Sequence, residues 1–123
     1  MVKSPIKSKI NLVFIPVSDI EKAREWYAKI LGIEDGEFHF DHLFEAKMSD
    51  GSGLMLDTMP AWRDENGELP TINIPAIQFG TDNIQASYQF MKDNGVNLVT
   101  DIQYDQFFVI KDPDGNMMMV CKD

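Results

Sequence analysis

Apolar residues along this chain come in short runs whose period switches between two and 3.6, and the switches mark the elements. Ile10-Asn11-Leu12-Val13-Phe14-Ile15-Pro16-Val17 reads as a strand, apolar enough to be buried on both faces. Ser18-Asp19-Ile20-Glu21 follows, a capping-box sequence able to satisfy two free N–H groups at a helix start. Ile20, Ala23, Tyr27, Ile30 and Leu31 then recur at helical spacing until Gly32 supplies a stop. Three strands are predicted next, around Glu37 to Phe40, Leu43 to Met48 and Leu54 to Met59, with Asp50-Gly51 turning the chain between the last two.

The order then repeats. Ala76 to Thr81 reads as a strand, and Asp82 caps a second helix with Gln85 reaching back. Ile84, Tyr88 and Met91 form that helix's buried stripe, and Gly95 ends it. Strands follow at Val96 to Thr100, Phe107 to Lys111 and Asn116 to Cys121, with Asp114-Gly115 in the place of Asp50-Gly51. Two halves with the same order predict tandem strand–helix–strand–strand–strand modules in one α+β domain. We place the domain at 1–123, with module one at 9–59, a linker at 60–73 and module two at 74–122. Pro, Gly and charged residues mark Pro60 to Pro70 as linker, and its one large apolar side chain, Trp62, must find cover on the core rim or on a ligand.

Strand parity sorts the side chains by face. Val13, Ile15, Val17, Leu54, Leu56, Ile77, Phe79, Met118 and Val120 suit burial under the helices. The alternate residues then share the opposite face: Leu12, Phe14 and Pro16; Met55, Asp57 and Met59; Ala76, Gln78 and Gly80; Met117, Met119 and Cys121. Methionines mixed with an isolated Asp, an amide and a thiol suit an apolar pocket with a few orienting polar groups. The competing reading is an interface packed against another sheet. Methionine also makes an adaptable wall for varied apolar ligands. Trp62 and one of the adjacent pair Phe107 and Phe108 are candidates to stack on a flat ligand; the other Phe must face the helices, and Trp26 lies beside the buried helical stripe.

Composition narrows the partners. A chain of 123 residues can close a core without staples. The single cysteine, Cys121, excludes an internal disulfide framework and any Cys-based zinc cluster. A net charge of −9 disfavours nucleic acid and anionic membranes and tolerates a cationic small molecule. No run is long and apolar enough to span a bilayer, and Met1 to Lys9 lacks the apolar core of a signal peptide, so the expected compartment is the cytoplasm.

Ser18-Asp19-Ile20, Trp26-Tyr27 and Leu31-Gly32, with Asp112-Pro113-Asp114-Gly115 before the last strand, stand on this doubled module. Together they resemble the vicinal oxygen chelate superfamily, the glyoxalase, bleomycin-resistance and extradiol-dioxygenase group, over essentially the whole chain. The resemblance implies paired βαβββ modules whose strands form a curled mixed sheet, a cup with helices on its outer face, and it implies a homodimer. In the superfamily's metalloenzymes four cup-facing positions hold a divalent cation through His and Glu. Carried onto this sequence they fall on Leu12, Met55, Ala76 and Met119. An alkyl group cannot donate to a hard cation, and a thioether is a soft ligand. Moving the count by one residue offers Asn11, Leu56 and Val120, which is no better. The Lewis-acid chemistry of those enzymes therefore has no ligand set at these positions.

Other candidates are fewer. His39 and His42 fall on opposite faces of a strand and make a poor chelating pair; they read as surface polar residues around a turn, with Asp41 or Glu45 as carboxylates able to join one of them. No His is placed by sequence to activate Cys121, which reads as an inert thiol. Asp57 either meets a cationic ligand group or Arg63, or lies exposed at its strand end. No nucleophile–base–orienter set supports acid–base catalysis on Asp57. The function expected is metal-free sequestration of a small apolar or cationic compound in the cup, as in drug-resistance members of the superfamily, with no cofactor and no catalytic residue. Its ligand-binding residues would be Leu12, Phe14, Met55, Asp57, Trp62, Ala76, Gln78, Phe107, Met119 and Cys121. The alternative is a lyase, isomerase or dioxygenase of the same superfamily that holds its metal elsewhere, so enzymatic activity stays open.

Overall fold

In a computed structural model that describes residues 3–123, the first module consists of β1 (Leu12–Pro16), α1 (Ile20–Leu31), β2 (Asp35–His39), β3 (Leu43–Lys47) and β4 (Gly53–Asp57). β5 (Gln78–Thr81), α2 (Ile84–Asp93), β6 (Asn97–Leu98), β7 (Phe107–Lys111) and β8 (Met117–Lys122) repeat it. Each module is a four-stranded mixed sheet, ordered β1-β4-β3-β2 and β5-β8-β7-β6. β1 runs parallel to β4 and β5 to β8, while the remaining pairs are antiparallel. The fold is the expected α+β tandem, its mixed sheet built among the described residues as two four-stranded halves rather than a closed barrel.

Local chemistry sets the helix ends. Asp19 is the N-cap of α1, and its carboxylate accepts from the Lys22 N–H at 3.1 Å. Glu21 does not reach back as a capping box requires; it pairs with Arg24 at 3.3 Å. The cap of α2 is Asn83 rather than Asp82. The Thr81 hydroxyl accepts from the Asn83 N–H at 3.2 Å, holding the chain extended for one more residue, and Asn83 Oδ1 then accepts from the Ala86 N–H at 2.9 Å. Gly32 (φ 66) and Gly95 (φ 70) leave the helices in the left-handed region open to glycine.

Parity holds in the core. Ile15, Val17, Leu54, Leu56, Met118 and Val120 are buried with Ala23, Tyr27, Ile30, Ile84 and Met91 of the helices. Each large aliphatic side chain buried there contributes roughly 1.5–3 kcal/mol, which is what fixes the register of a sheet. Phe108 is fully buried, edge-on to Tyr88 with ring centroids 5.2 Å apart. β1 departs from the expectation of burial on both faces: Phe14 is 48 % exposed and Ile10 lies outside the strand, exposed. One side of β1 faces the helix layer, and the other has little over it.

The modules meet at the turn that closes the second one. Asp112 and Asn116 are 4 % and 0 % exposed. The Asn116 amide donates to Pro16 O at 2.7 Å, at the end of β1, and to Asp112 Oδ2 at 2.8 Å; its Oδ1 accepts from the Ile72 N–H at 2.9 Å. Tyr27 of α1 donates its hydroxyl to Asp112 Oδ2 at 2.6 Å, and Asp114 Oδ2 accepts from the Ser18 N–H at 3.0 Å. Asp112 Oδ1 takes the N–H groups of Asp114 and Asn116. The carboxylate thus meets four donors, as burial of such a group demands. Burial, then the charge of Asp112 and the hydrogen bond to it, push the Tyr27 phenol far above its ordinary range.

Candidate ligand site

β1 and β4 build the first wall of the open face. Their register sets Phe14 opposite Met55 and Pro16 opposite Asp57. Beyond β4 the chain must turn sharply, and Asp57 makes the turn: its Oδ1 accepts from the Met59 N–H at 2.7 Å while Met59 takes φ 58. The Trp62 N–H then donates to Met59 O at 3.0 Å, bringing the linker back over the strand ends. Arg63 locks this return by donating from Nε and Nη2 to Thr58 O (3.1 and 3.0 Å) and from Nη1 to Gly67 O (3.1 Å). Arg63 is therefore not the partner of Asp57, and Asp57 is not exposed at its strand end; it is buried.

The result is a pocket of about 490 Å³ lined by Phe14, Pro16, Asp57, Met59, Trp62, Pro70, Thr71 and Ile72. Trp62 is 75 % exposed, so its indole is a free stacking surface. Phe14, Asp57 and Trp62 are thus brought together. Met55 lies beside Phe14, buried, and Leu12 lines a separate shallow groove with Glu45 and Lys47 at the far end of the same strands. The remaining candidates stand on the second sheet, outside this pocket. Gln78 pairs with Met119 and its amide reaches the Met119 sulfur at 3.4 Å; Phe107 lies opposite Cys121; Ala76 is exposed just ahead of β5. The wall supplied by Pro70, Thr71 and Ile72 had no signal in the sequence, because an aperiodic linker does not say which strand it returns to. What pins it is Ile72, whose backbone bonds Asn116 Oδ1 and the Met117 N–H.

The metal that the resemblance implies finds no hard donor at the four positions given to it. Leu12, Met55, Ala76 and Met119 offer two hydrocarbon side chains and two thioethers, and no carboxylate or imidazole stands on β1, β5 or β8 to replace them. The two histidines do not converge. His42 stacks on Phe40 with centroids 6.2 Å apart, while His39 turns onto the open face, where its Nε2 lies 3.0 Å from Glu45 Oε1.

A tandem βαβββ chain with helices on one side and an open, methionine-containing face on the other defines an architecture; comparison with known proteins identifies the group. Residues 9–120 match the family model of the Glyoxalase/Bleomycin resistance protein/Dioxygenase superfamily, and the chain belongs to that superfamily. It is 32 % identical over 101 residues to the uncharacterized protein YurT of Bacillus subtilis, covering 76 % of this chain and 80 % of that one. Among solved structures it is similar to a superfamily member from Sphaerobacter thermophilus (TM-score 0.76, 24 % identity, 95 % and 98 % of the two chains). It is also similar to TnmS3, an antibiotic binding protein from a Streptomyces species (TM-score 0.74, 22 % identity, 98 % of each chain). A lactoylglutathione lyase from Agrobacterium tumefaciens matches as well (TM-score 0.72, 16 % identity, 97 % and 96 %). At these identities the structural likenesses concern the fold, which carries binders and enzymes alike.

Proposed function

We propose that this protein binds a small apolar or cationic molecule between Phe14, Asp57 and Trp62, and that binding there needs no metal. The observation that supports it most directly is the pocket itself: an exposed indole and a half-exposed phenyl ring beside a buried carboxylate, of which only Oδ1 is taken by the backbone. Aromatic faces and a carboxylate are the complement of a flat or amine-bearing ligand. Binding and release, rather than turnover, is the activity we assign, because none of the superfamily's ligand positions carries a group that could hold its metal. The half-exposed apolar face also suits a second copy of the chain, and a homodimer is part of the proposal.

Fluorescence of Trp62 in a Trp26→Phe background tests it, with flat aromatic amines and antibiotics as probes and a chelator present throughout. Saturable quenching is expected, with cationic probes losing affinity about tenfold in Asp57→Asn, a loss of the size seen when a charge-assisted contact goes. Failure of every probe to quench, or affinity that persists unchanged in both Trp62→Ala and Asp57→Asn, overturns the assignment.

A further inference from the structure

We propose that Glu37, His39 and Glu45 form a divalent-cation site on the open face of the first sheet, built from none of the four superfamily positions and no residue of the pocket, with Glu45 paired to Met55 on the neighbouring strand. Strand register makes the cluster. Glu37 pairs directly with Glu45 across the antiparallel β2–β3 ladder, and His39 is the next residue on the same face of β2. His39 Nε2 lies 3.0 Å from Glu45 Oε1 and 3.8 Å from Glu37 Oε2, and one donor atom from each of the three falls within 4.8 Å of the others. Donors around a tetrahedral zinc ion with bonds of about 2.0–2.1 Å stand about 3.3 Å apart, so the three atoms already lie near one coordination face.

Two further features point to a cation rather than to ordinary surface polarity. Like charges placed directly opposite on paired strands repel, and Glu37 and Glu45 are so placed. Lys47 reaches only the outer carboxylate, at 3.9 Å from Glu37 Oε1, leaving His39 as the group between the pair. The hairpin is also held from behind. Phe38 packs on the buried Phe44 with centroids 4.8 Å apart, and the Arg24 guanidinium covers Phe38 at 5.8 Å. The donors therefore project from an anchored ladder rather than from a mobile loop. One imidazole and two carboxylates with open positions toward solvent suit a first-row divalent ion, zinc, manganese, iron or nickel, better than calcium or copper(I). The site shares no residue with the ligand pocket, so it stands independently of the binding function.

The test uses the full chain without an affinity tag, stripped with chelator and titrated calorimetrically with ZnCl₂, NiCl₂ and MnCl₂. One equivalent per chain is expected for at least one of these ions. Affinity should fall in His39→Gln and in Glu45→Gln by more than the roughly hundredfold that loss of an outer-shell partner can cost, and should be unchanged in His42→Ala. In the unmodified protein, Zn²⁺ should shift the His39 Nε2 nitrogen resonance and leave that of His42 in place, a readout that does not depend on how the variants fold. No saturable equivalent for any of the three ions, binding that survives both substitutions, or an unmoved His39 resonance at saturation overturns the proposal.

Discussion

Met48 to Ser52 and Asp112 to Asn116 close the last hairpins of the two modules with the same backbone. In each, the first residue accepts from the N–H of the glycine (Gly51 to Met48 O at 3.1 Å, Gly115 to Asp112 O at 3.0 Å) and donates to the last (Met48 to Ser52 O at 3.0 Å, Asp112 to Asn116 O at 2.9 Å). Both glycines take the positive φ the turn requires, 89 and 91. Their surroundings differ. Asp112 and Asn116 are buried against module one, whereas Asp50 spends its carboxylate on its own turn, accepting from the Ser52 N–H and hydroxyl. Across from Asp50 lies a cleft of about 640 Å³ that reaches Gly80 of module two and the terminal Asp123. A constant offset along the chain relates Met48 to Asp112, Ser52 to Asn116 and Pro16 to Gly80; the same offset relates Tyr27 to Met91. The glycine decides that there is a turn; the residues at its two ends decide whether it docks.

Breaking the docked turn should cost most. Asp112→Ala strands the Tyr27 hydroxyl, the Asn116 amide and two backbone N–H groups, and we expect a loss of about 3–5 kcal/mol in urea denaturation. Tyr27→Phe removes one of the four donors and should cost about 1–2 kcal/mol. It also carries a pH signature. A phenol whose folded pKa is raised favours the folded state fully below its ordinary value of about 10, and loses that advantage as pH climbs past it toward the raised value. Stability of the native chain should therefore fall above that pH with a slope of up to about 1.4 kcal/mol per pH unit, and the Tyr27→Phe chain should lack this component. Asp114→Ala, which frees only the Ser18 N–H ahead of α1, should cost about 0.5–1 kcal/mol. At the bottom of the series, Asp50→Ala in the undocked turn should leave the urea midpoint where it was, although Ser52 holds the Asp50 carboxyl below the usual carboxylate range. Equal losses for Asp50→Ala and Asp112→Ala would break the contrast between the two turns.

The duplication made the fold legible, because each module's pattern checked the other's and parity placed Ile15, Leu56, Met118 and Val120 under the helices as expected. The docking was not legible. Asp112 reads in sequence only as a turn former and Tyr27 only as a member of a helical stripe, and nothing local joins residues so far apart in the chain. The cap of α2 slipped by one residue because the Thr81 hydroxyl competes for the helix start. Phe14, Asp57 and Trp62 could be named from parity and linker composition, but their convergence depends on the backbone of Met59 in the left-handed region, which no pattern of apolar residues announces. Glu37 was not among the candidate ligands for the opposite reason: its alternation with His39 was visible, and Glu45 was a candidate partner for a histidine, yet the pairing of Glu37 with Glu45 follows only from the hairpin register.

Asn116 has a consequence in the time domain. Its side chain joins the end of β1 to a residue 100 positions later in the chain, so the contact closes a long loop and repays its entropy only when both modules are nearly complete. Substitutions there should leave the refolding rate close to that of the native chain and appear in the unfolding rate instead. Asn116 acts as a late latch on the folded state, setting how long the pair stays shut rather than how fast it assembles.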